Sequence, residues 1–248
     1  MKLLIKRFFI ALCFVSFGAF CMAGNLFFVP IFVLRLNRFS SVRNFARDLI
    51  YFSWKGFIWL IFVYGSVGAK FRVSGDLPRR GGQIIVANHP SLLDVVLFLS
   101  HFRRANCVVK ASLLKNIFLF GAIRAAGYIP NTANEEMIER CVAALRGGEN
   151  LIIFPEGTRT KERIEMHKGA FYIAVRAAES LKILCVKMSP KSLKKGDPWY
   201  DTPKVMMKYE IYERDAVDLG AFEPARPNPV RVRLLHKKVQ EIYDKEDL

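Results

Sequence analysis

The sequence predicts an α/β fold in which a mostly parallel sheet is flanked by helices and preceded by a membrane-associated helical hairpin. After residue 70, short β-rich runs alternate with helical segments, as in strands joined by crossover helices. The surplus of apolar residues is concentrated before that point, which indicates contact with a bilayer rather than a larger core. We therefore assign residues 1–70 to a membrane-embedded or interfacial helical hairpin and residues 71–248 to an α/β domain.

The apolar run at 8–36 admits three interpretations. It could be a cleaved signal peptide, a single spanning helix, or a helical pair that bends near Gly24, Asn25 and Pro30. Basic residues precede and follow the run, so a full crossing would place one basic cluster outside, against the positive-inside tendency. We favour a hairpin that dips into one leaflet. This arrangement keeps both clusters at the cytoplasmic face of the membrane, which is the inner membrane if the source is bacterial.

The composition restricts the partners. A formal net charge of +16 predicts an anionic partner. No zinc-finger spacing, basic zipper or aromatic RNA-binding motif is visible, so we expect anionic membrane lipids and no nucleic acid. The cysteines are scattered, odd in number and without CxxC spacing, which supports neither a disulfide framework nor a metal site. They are Cys13, Cys21, Cys107, Cys141 and Cys185.

Elements of the α/β domain follow from local patterns. Strands are predicted at 83–88, 106–111, 151–154, 183–188 and 205–213, and helices at 95–100, 113–126, 132–146, 168–180 and 228–243. Buried runs such as 151–154 favour parallel strands. Thr132 followed by Glu135 predicts a capping box, and Asn228 with Pro229 predicts a cap and first turn. The lysine-rich segment 191–201 is interpreted either as a loop near the chemistry or membrane, or as a solvated turn.

His89 and Asp94 form the first candidate site. His89 follows a predicted strand, and active sites of open parallel sheets collect at the carboxyl ends of strands. Pro90 starts a helix that carries Asp94 in its first turns, so the carboxylate can face the imidazole. It would keep one ring nitrogen protonated and leave the other free as a base. Alternatively, Asp94 is a charge stabilised at a helix N-terminus and His89 a capping residue.

A second candidate site follows the predicted strand at 151–154. There the chain reads FPEGTRT at 154–160, which places an acidic residue, a glycine and an arginine at the sheet edge. Arg159 can bind a phosphate through two parallel hydrogen bonds. The alternative is a surface turn with an ordinary ion pair.

Together, NHPSLLD at 88–94 and FPEGTR at 154–159 resemble the glycerolipid acyltransferase family that includes lysophosphatidate acyltransferases. The resemblance covers roughly residues 71–190. It implies an O-acyltransferase that moves a fatty acyl chain from acyl-carrier protein or acyl-CoA to a hydroxyl of a lysophosphatidate-like glycerolipid. It also implies that His89 is the catalytic base and Asp94 its orienting partner. The implied substrate-binding residues are Glu156, Gly157, Thr158, Arg159, Lys168 and Asn131.

We expect no metal and no bound cofactor, the acyl donor being a co-substrate. A serine hydrolase is disfavoured because the sequence has no Gly-x-Ser-x-Gly elbow. The same chemistry on a different lysolipid or an amino-acid lipid stays open. A catalytically inactive lipid- or carrier-binding membrane protein is a further alternative, although a binder has no need for both His89 and Asp94.

Two positions depart from the family pattern. Asn131 stands where the second block of the family usually has an arginine, and Cys185 stands where the fourth block usually has a proline. The loss of an arginine removes a cation that could bind the acceptor's phosphate. Arg124 and Lys110 are the nearby cations that could replace it.

Overall fold

The computed structural model describes residues 2–63, 67–72, 81–160, 163–193, 196, 203 and 205–246. In this part of the chain, seven strands form one sheet in the order β1-β7-β6-β2-β5-β3-β4. Strands β6, β2, β5, β3 and β4 run parallel, whereas β7 and β1 run in the opposite direction. The predicted mostly parallel sheet is therefore confirmed. The strands are β1 (Val67–Arg72), β2 (Gln83–Ala87), β3 (Asn106–Lys110), β4 (Ile129–Asn131), β5 (Leu151–Ile153), β6 (Ser180–Ser189) and β7 (Met207–Asp218).

Helices cover both faces of the sheet. One face packs against α1 (Lys2–Val33), α2 (Ser40–Val63), α3 (Asp94–His101) and α4 (Phe120–Ala125). The other face packs against α5 (Glu135–Arg146), α6 (Gly169–Ala177) and α7 (Asn228–Asp244). Because side chains alternate along a strand, Ile85 of β2 enters the first core while Ile84 and Val86 enter the second. Burial on both faces explains why β2 and β5 read as continuous apolar runs.

The hairpin bends later than expected. The predicted bend at Gly24, Asn25 and Pro30 is wrong, because α1 continues through all three residues to Val33. The chain turns instead at residues 34–39, where Arg35 adopts a left-handed conformation with φ 55°. Asn25 has another role, since its side-chain amide donates to the Ile117 carbonyl at 2.8 Å. It packs so close to Gly121 of α4 that a Cβ at that glycine would collide with it.

Much of α1 remains exposed although it is strongly apolar. Residues 7–33 are long and apolar enough to cross a membrane, by length and composition alone. The large apolar side chains on the exposed surface of α1 include Phe8, Val15, Phe20, Leu26 and Phe27. Burying such a surface in lipid removes it from water, which favours membrane association.

A buried ion cluster fastens α2 to the α/β domain. Arg47 is only 2% exposed; it donates to the Ala126 carbonyl at 2.9 Å and to Glu149 at 2.8 Å. Arg43 and Asn106 donate to the same carboxylate, each at 2.8 Å. The hairpin is thus packed on the domain rather than tethered to it. Strand β1 lies across the predicted boundary at residue 70, and the division into two domains stays a prediction.

Several element ends differ from the sequence prediction. Helix α5 begins at Glu135, so its cap is Asn134, whose side chain accepts from Met137 N at 3.0 Å. The predicted capping box of Thr132 and Glu135 is therefore wrong, because Glu135 is the first helical residue rather than the third. The prediction that Asn228 caps α7 is also wrong, because Asn228 is the first residue of the helix and Pro227 occupies the cap position. Strands β1 and β4, which form the two edges of the sheet, were not predicted from the sequence.

The cysteines act as small apolar groups. All five are free, and Cys13, Cys107, Cys141 and Cys185 are buried. Cys185, at a position where the family that the sequence resembles usually has a proline, lies inside β6 with no exposed surface. Burial raises the pKa of its thiol to about 12, so the group is neutral at physiological pH.

Candidate active site

Both predicted motifs lie at the carboxyl ends of neighbouring strands, β2 and β5. The side chain of Asn88, only 1% exposed, extends the pairing between β2 and β6. Its amide nitrogen donates to the Val186 carbonyl at 2.9 Å, and its oxygen accepts from Val186 N–H at 2.7 Å. Because these bonds are made by a side chain, the backbone at His89 can leave the sheet and turn toward α3.

His89 and Asp94, here called the dyad, are in direct contact. His89 Nδ1 lies 2.7 Å from Asp94 Oδ2; Asp94 is fully buried and the His89 side chain is 16% exposed. Ser91 holds the carboxylate through its N–H at 2.8 Å and its hydroxyl at 2.9 Å. An ionised carboxylate only accepts hydrogen bonds, so Nδ1 carries the proton and Nε2 keeps a free lone pair. The capping alternative does not describe His89, because Leu93 occupies the position before α3.

Hydrogen bonds join the second motif to the first. His89 N–H donates to Glu156 Oε1 at 2.8 Å, and Thr160 donates to the same oxygen through its hydroxyl at 2.7 Å. Thr160 N–H returns a bond to the His89 carbonyl at 2.7 Å. The Phe154 ring lies 4.6 Å from the imidazole, measured between centroids. The two motifs therefore build one site, in which Glu156 and Phe154 fix the backbone and ring of His89.

Glu156 is 6% exposed, so it lies beneath the surface of the site. Burial raises the pKa of its carboxyl, and the hydrogen bonds from Thr160 and from the His89 backbone partly oppose this shift. One of its oxygens is occupied by the two bonds described above. Its assignment as a substrate-binding residue stays a prediction.

Arg159 is partly buried and lies against the start of the loop after β6. Its Nη1 donates to the Leu193 carbonyl at 2.9 Å, and Leu92 N–H donates to the same oxygen at 3.3 Å. The first residues of the predicted 191–201 loop thus contact both motifs. Of that loop, residues 194, 195 and 197–201 lie outside the described part of the chain. Thr158 and Lys168 are exposed, and Lys168 immediately precedes α6.

Asn131 and Gly157 come together with a residue that the sequence analysis missed. Gly157 has φ +64°, and a Cβ there would lie 3.6 Å from His167 Cδ2 and 3.8 Å from Asn131 Nδ2. His167 therefore lines the same exposed surface as Asn131. The available sequence signal was its position, one of four histidines and directly before Lys168.

The two proposed compensating cations lie in different places. Lys110 is in register with Asn131 across the β3–β4 pair, so their side chains stand on the same face of the sheet. Arg124 instead lies over the Phe32 ring of α1, with 5.3 Å from its guanidinium carbon to the ring centroid. Arg124 and Pro130 line a cavity of about 350 Å³. Because side chains alternate along a strand, Pro130 points to the face of the sheet opposite to that of Asn131. In the described part of the chain, no group of three His, Cys, Asp or Glu side chains could hold a metal ion.

Comparisons with known proteins found acyltransferases that are similar to this chain. Residues 70–189 match the family model described as Acyltransferase. The chloroplastic 1-acyl-sn-glycerol-3-phosphate acyltransferase LPAT1 of Arabidopsis thaliana is 29% identical over 110 residues, which are 42% of this chain and 30% of that protein. The chloroplastic 1-acyl-sn-glycerol-3-phosphate acyltransferase BAT2 of Brassica napus is 29% identical over 169 residues, which are 63% of this chain and 48% of that protein. The 1-acyl-sn-glycerol-3-phosphate acyltransferase of Borreliella burgdorferi is 29% identical over 126 residues, which are 46% of this chain and 50% of that protein.

A solved structure supports the fold along the whole chain. The 1-acyl-sn-glycerophosphate (LPA) acyltransferase PlsC from Thermotoga maritima superposes with a TM-score of 0.63 and 21% identity, covering 100% of both chains. The chain spans between about a third and a half of the length of the curated relatives it matches. Two joined motifs and a matched family model lead to one conclusion: residues 70–189 form an acyltransferase domain similar to those of the glycerolipid acyltransferases.

Proposed function

We propose that the chain is an O-acyltransferase that moves a fatty acyl chain from a thioester donor to a hydroxyl of a lysophosphatidate-like glycerolipid. The observation that carries this proposal is the 2.7 Å contact between His89 Nδ1 and Asp94 Oδ2. Because Nδ1 keeps its proton, Nε2 can take the proton of the acceptor hydroxyl as that oxygen attacks the thioester carbonyl. Asp94 stabilises the imidazolium that results. When the tetrahedral intermediate collapses, the carrier thiolate leaves and receives the proton from His89.

The acceptor's phosphate would bind on the surface around Gly157. Asn131 offers an amide N–H there, and His167 offers a ring nitrogen. Lys110 stands beside Asn131 and Lys168 beside His167, so each neutral or weakly basic group has a cation as its neighbour. This arrangement supports a lysophosphatidate-like acceptor despite the missing arginine. The names of the three relatives, all 1-acyl-sn-glycerol-3-phosphate acyltransferases, support the same acceptor.

The donor and the location are inferred from charge and exposure. Acyl-carrier protein and acyl-CoA are both anionic thioester carriers, and a net charge of +16 suits either. The exposed apolar face of α1 would enter one leaflet, with anionic lipids around the basic residues that flank it. The reaction would then take place at the cytoplasmic face, where these carriers are made. No bound cofactor takes part in the proposed steps.

A transfer assay on the purified full-length protein tests the proposal. A labelled fatty acyl chain is supplied as its thioester with acyl-carrier protein or with CoA. Each donor is offered with a panel of acceptors that includes lysophosphatidate, other lysophospholipids and an amino-acid lysolipid. We expect transfer to lysophosphatidate, and a loss of roughly 10²–10⁴-fold or more in His89→Ala. The matched control is His101→Ala, because His101 is an exposed histidine at the end of α3. A parent protein that acylates no acceptor, or a His89→Ala variant as active as the parent, would overturn the proposal.

A further inference from the structure

Tyr209 reaches the dyad from β7, which lies two strands away from β2 in the sheet. It lies on β7, which pairs antiparallel with β6 and places Tyr209 opposite Met188. The tyrosine is 2% exposed, and its hydroxyl lies 2.7 Å from Ser91 Oγ. Ser91 Oγ in turn lies 2.9 Å from Asp94 Oδ1, on the carboxylate oxygen that does not face His89. A continuous hydrogen-bonded chain therefore runs from Tyr209 through Ser91 and Asp94 to His89.

The direction of this chain follows from the donors available. Asp94 as a carboxylate only accepts, so the single hydroxyl proton of Ser91 is given to Asp94. The Tyr209 hydroxyl must then donate to Ser91 Oγ, which also accepts from Leu93 N–H at 3.1 Å. Burial, followed by the charge of Asp94, raises the pKa of Tyr209, so the phenol stays protonated and remains a donor. Every hydrogen-bonding position of Ser91 Oγ is filled.

We propose that Tyr209 is a positioning residue of the dyad, acting through Ser91 to hold the Asp94 carboxylate in the orientation that engages His89. Without its hydroxyl, Ser91 Oγ loses one of its two donors, so the position from which Ser91 donates to Asp94 Oδ1 is less firmly held and the carboxylate is freer to rotate. In a fully buried site each of these bonds is strengthened by its neighbours, because little solvent competes with them. The inference rests on the proposed function, since positioning matters only if His89 acts as a base.

Substitution of the tyrosine by phenylalanine separates positioning from packing. Tyr209→Phe removes one oxygen atom and keeps the ring. The bond that is lost joins two neutral hydroxyls and acts on Asp94 only through Ser91, so we expect kcat to fall about threefold to tenfold. The KM values for donor and acceptor should stay within about twofold, because Tyr209 is 2% exposed and offers almost no surface to a substrate. The matched control is Tyr212→Phe on the same strand, whose hydroxyl donates to Glu246 at 2.6 Å. Its ring lies on the opposite face of the sheet, so kcat should equal that of the parent.

A spectroscopic measurement follows the dyad without catalysis. The chain has four histidines, so the imidazole N–H signal of His89 can be assigned by its disappearance in His89→Ala. Tyr209→Phe should move that signal and leave the other three in place, whereas Tyr212→Phe should move none of the four. Ser91→Ala breaks the same chain at its middle and should reproduce both effects of Tyr209→Phe, which keeps the test available if one variant fails to fold.

The outcomes separate the two proposals. If the parent transfers acyl chains but Tyr209→Phe matches Tyr212→Phe in kcat and leaves the His89 signal unchanged, the positioning role is overturned and the proposed function stands. If the parent acylates no acceptor, the proposed function fails. The His89 signal then decides by itself whether Tyr209 orients the dyad.

Discussion

Replacing Asp94 by asparagine would remove the charge of the dyad and keep its shape. The amide oxygen of asparagine can occupy the place of Oδ2, where it accepts from His89 Nδ1 and Ser91 N–H as the carboxylate does. The amide nitrogen then faces Ser91 Oγ, whose proton can turn toward the neighbouring Tyr209 hydroxyl. The hydrogen-bond geometry around the imidazole is therefore retained, and the negative charge is lost.

That charge stabilises the imidazolium formed when His89 takes the acceptor's proton. Two unit charges about 4 Å apart interact by about 4 kcal/mol at an effective dielectric constant of about 20. Since each ~1.36 kcal/mol corresponds to a tenfold change in rate, kcat should fall about a thousandfold. This value lies within the roughly 10²–10⁴-fold contribution of general acid–base catalysis.

The assay compares initial rates of labelled acyl transfer by purified Asp94→Asn and parent protein at saturating acceptor. Thermal unfolding of both proteins shows whether the fold is retained. Asp48→Asn is the matched control, because Asp48 on α2 binds Arg103 and Arg104 away from the dyad. It should leave kcat near the parent value. If Asp94→Asn stays within about tenfold of the parent with an unchanged melting temperature, the charge of Asp94 does not stabilise the transition state and the reasoning is refuted.

Three further predictions concern the acceptor, the membrane and the buried ion cluster. Asn131→Arg should lower the apparent KM for lysophosphatidate about tenfold, because a hydrogen bond to a charged group contributes about 1.5–3 kcal/mol. Acceptors that lack a phosphomonoester should not improve. An unchanged KM for lysophosphatidate would mean that neighbouring cations already compensate. The parent protein should remain on membranes in about 1 M salt, where the Debye length is near 3 Å and charge attraction is screened. The same salt wash should extract the double variant Phe20→Glu/Phe27→Glu, which has lost apolar surface on α1. Release of the parent protein by salt alone would contradict this prediction. Arg47→Met should destabilise the fold by about 1.5–3 kcal/mol in urea unfolding, because it removes one of the two arginines that bind the Glu149 carboxylate. A loss below about 1 kcal/mol would contradict the assigned role.

The Glu149 carboxylate should make the stability of the fold depend on pH in acid. Burial raises the pKa of Glu149, but the charge of Arg47 and the hydrogen bonds from Arg43, Arg47 and Asn106 outweigh it, so the net pKa is lowered from 4.5. A lowered pKa contributes stability that is present above the unfolded-state value and is lost as the pH falls through the folded-state value. Unfolding free energy should therefore decline below about pH 4.5, and Glu149→Gln should show a weaker decline. Identical acid profiles for the two proteins would contradict the prediction.

Local patterns were sufficient for the motifs and for most elements. The runs that became β2 and β5 were recognisable because both of their faces are buried. His89 and Asp94 could be paired because both lie close after a strand end, although the predicted helix start at Pro90 is wrong and α3 begins at Asp94. The bend of the hairpin could not be placed in this way. Gly24 and Asn25 normally indicate a break, but here Asn25 is used to bond the Ile117 carbonyl, a contact between residues 92 positions apart. Helix caps also failed by one or two residues, since neighbouring Thr132 and Asn134 are both good caps.

The sequence by itself determined the class of the fold, the resemblance to glycerolipid acyltransferases and the dyad, because each depends on short-range periodicity or on residues within short motifs. The tertiary structure alone decided which residues surround the dyad. Glu156 lies 67 positions from His89 and Tyr209 lies 118 positions from Ser91, and both become neighbours only through the order of strands in the sheet. Likewise, Lys110 rather than Arg124 stands beside Asn131, because register across β3 and β4 sets which side chains share a face. Strand order and register depend on the packing of the whole core, which no short segment of the chain records.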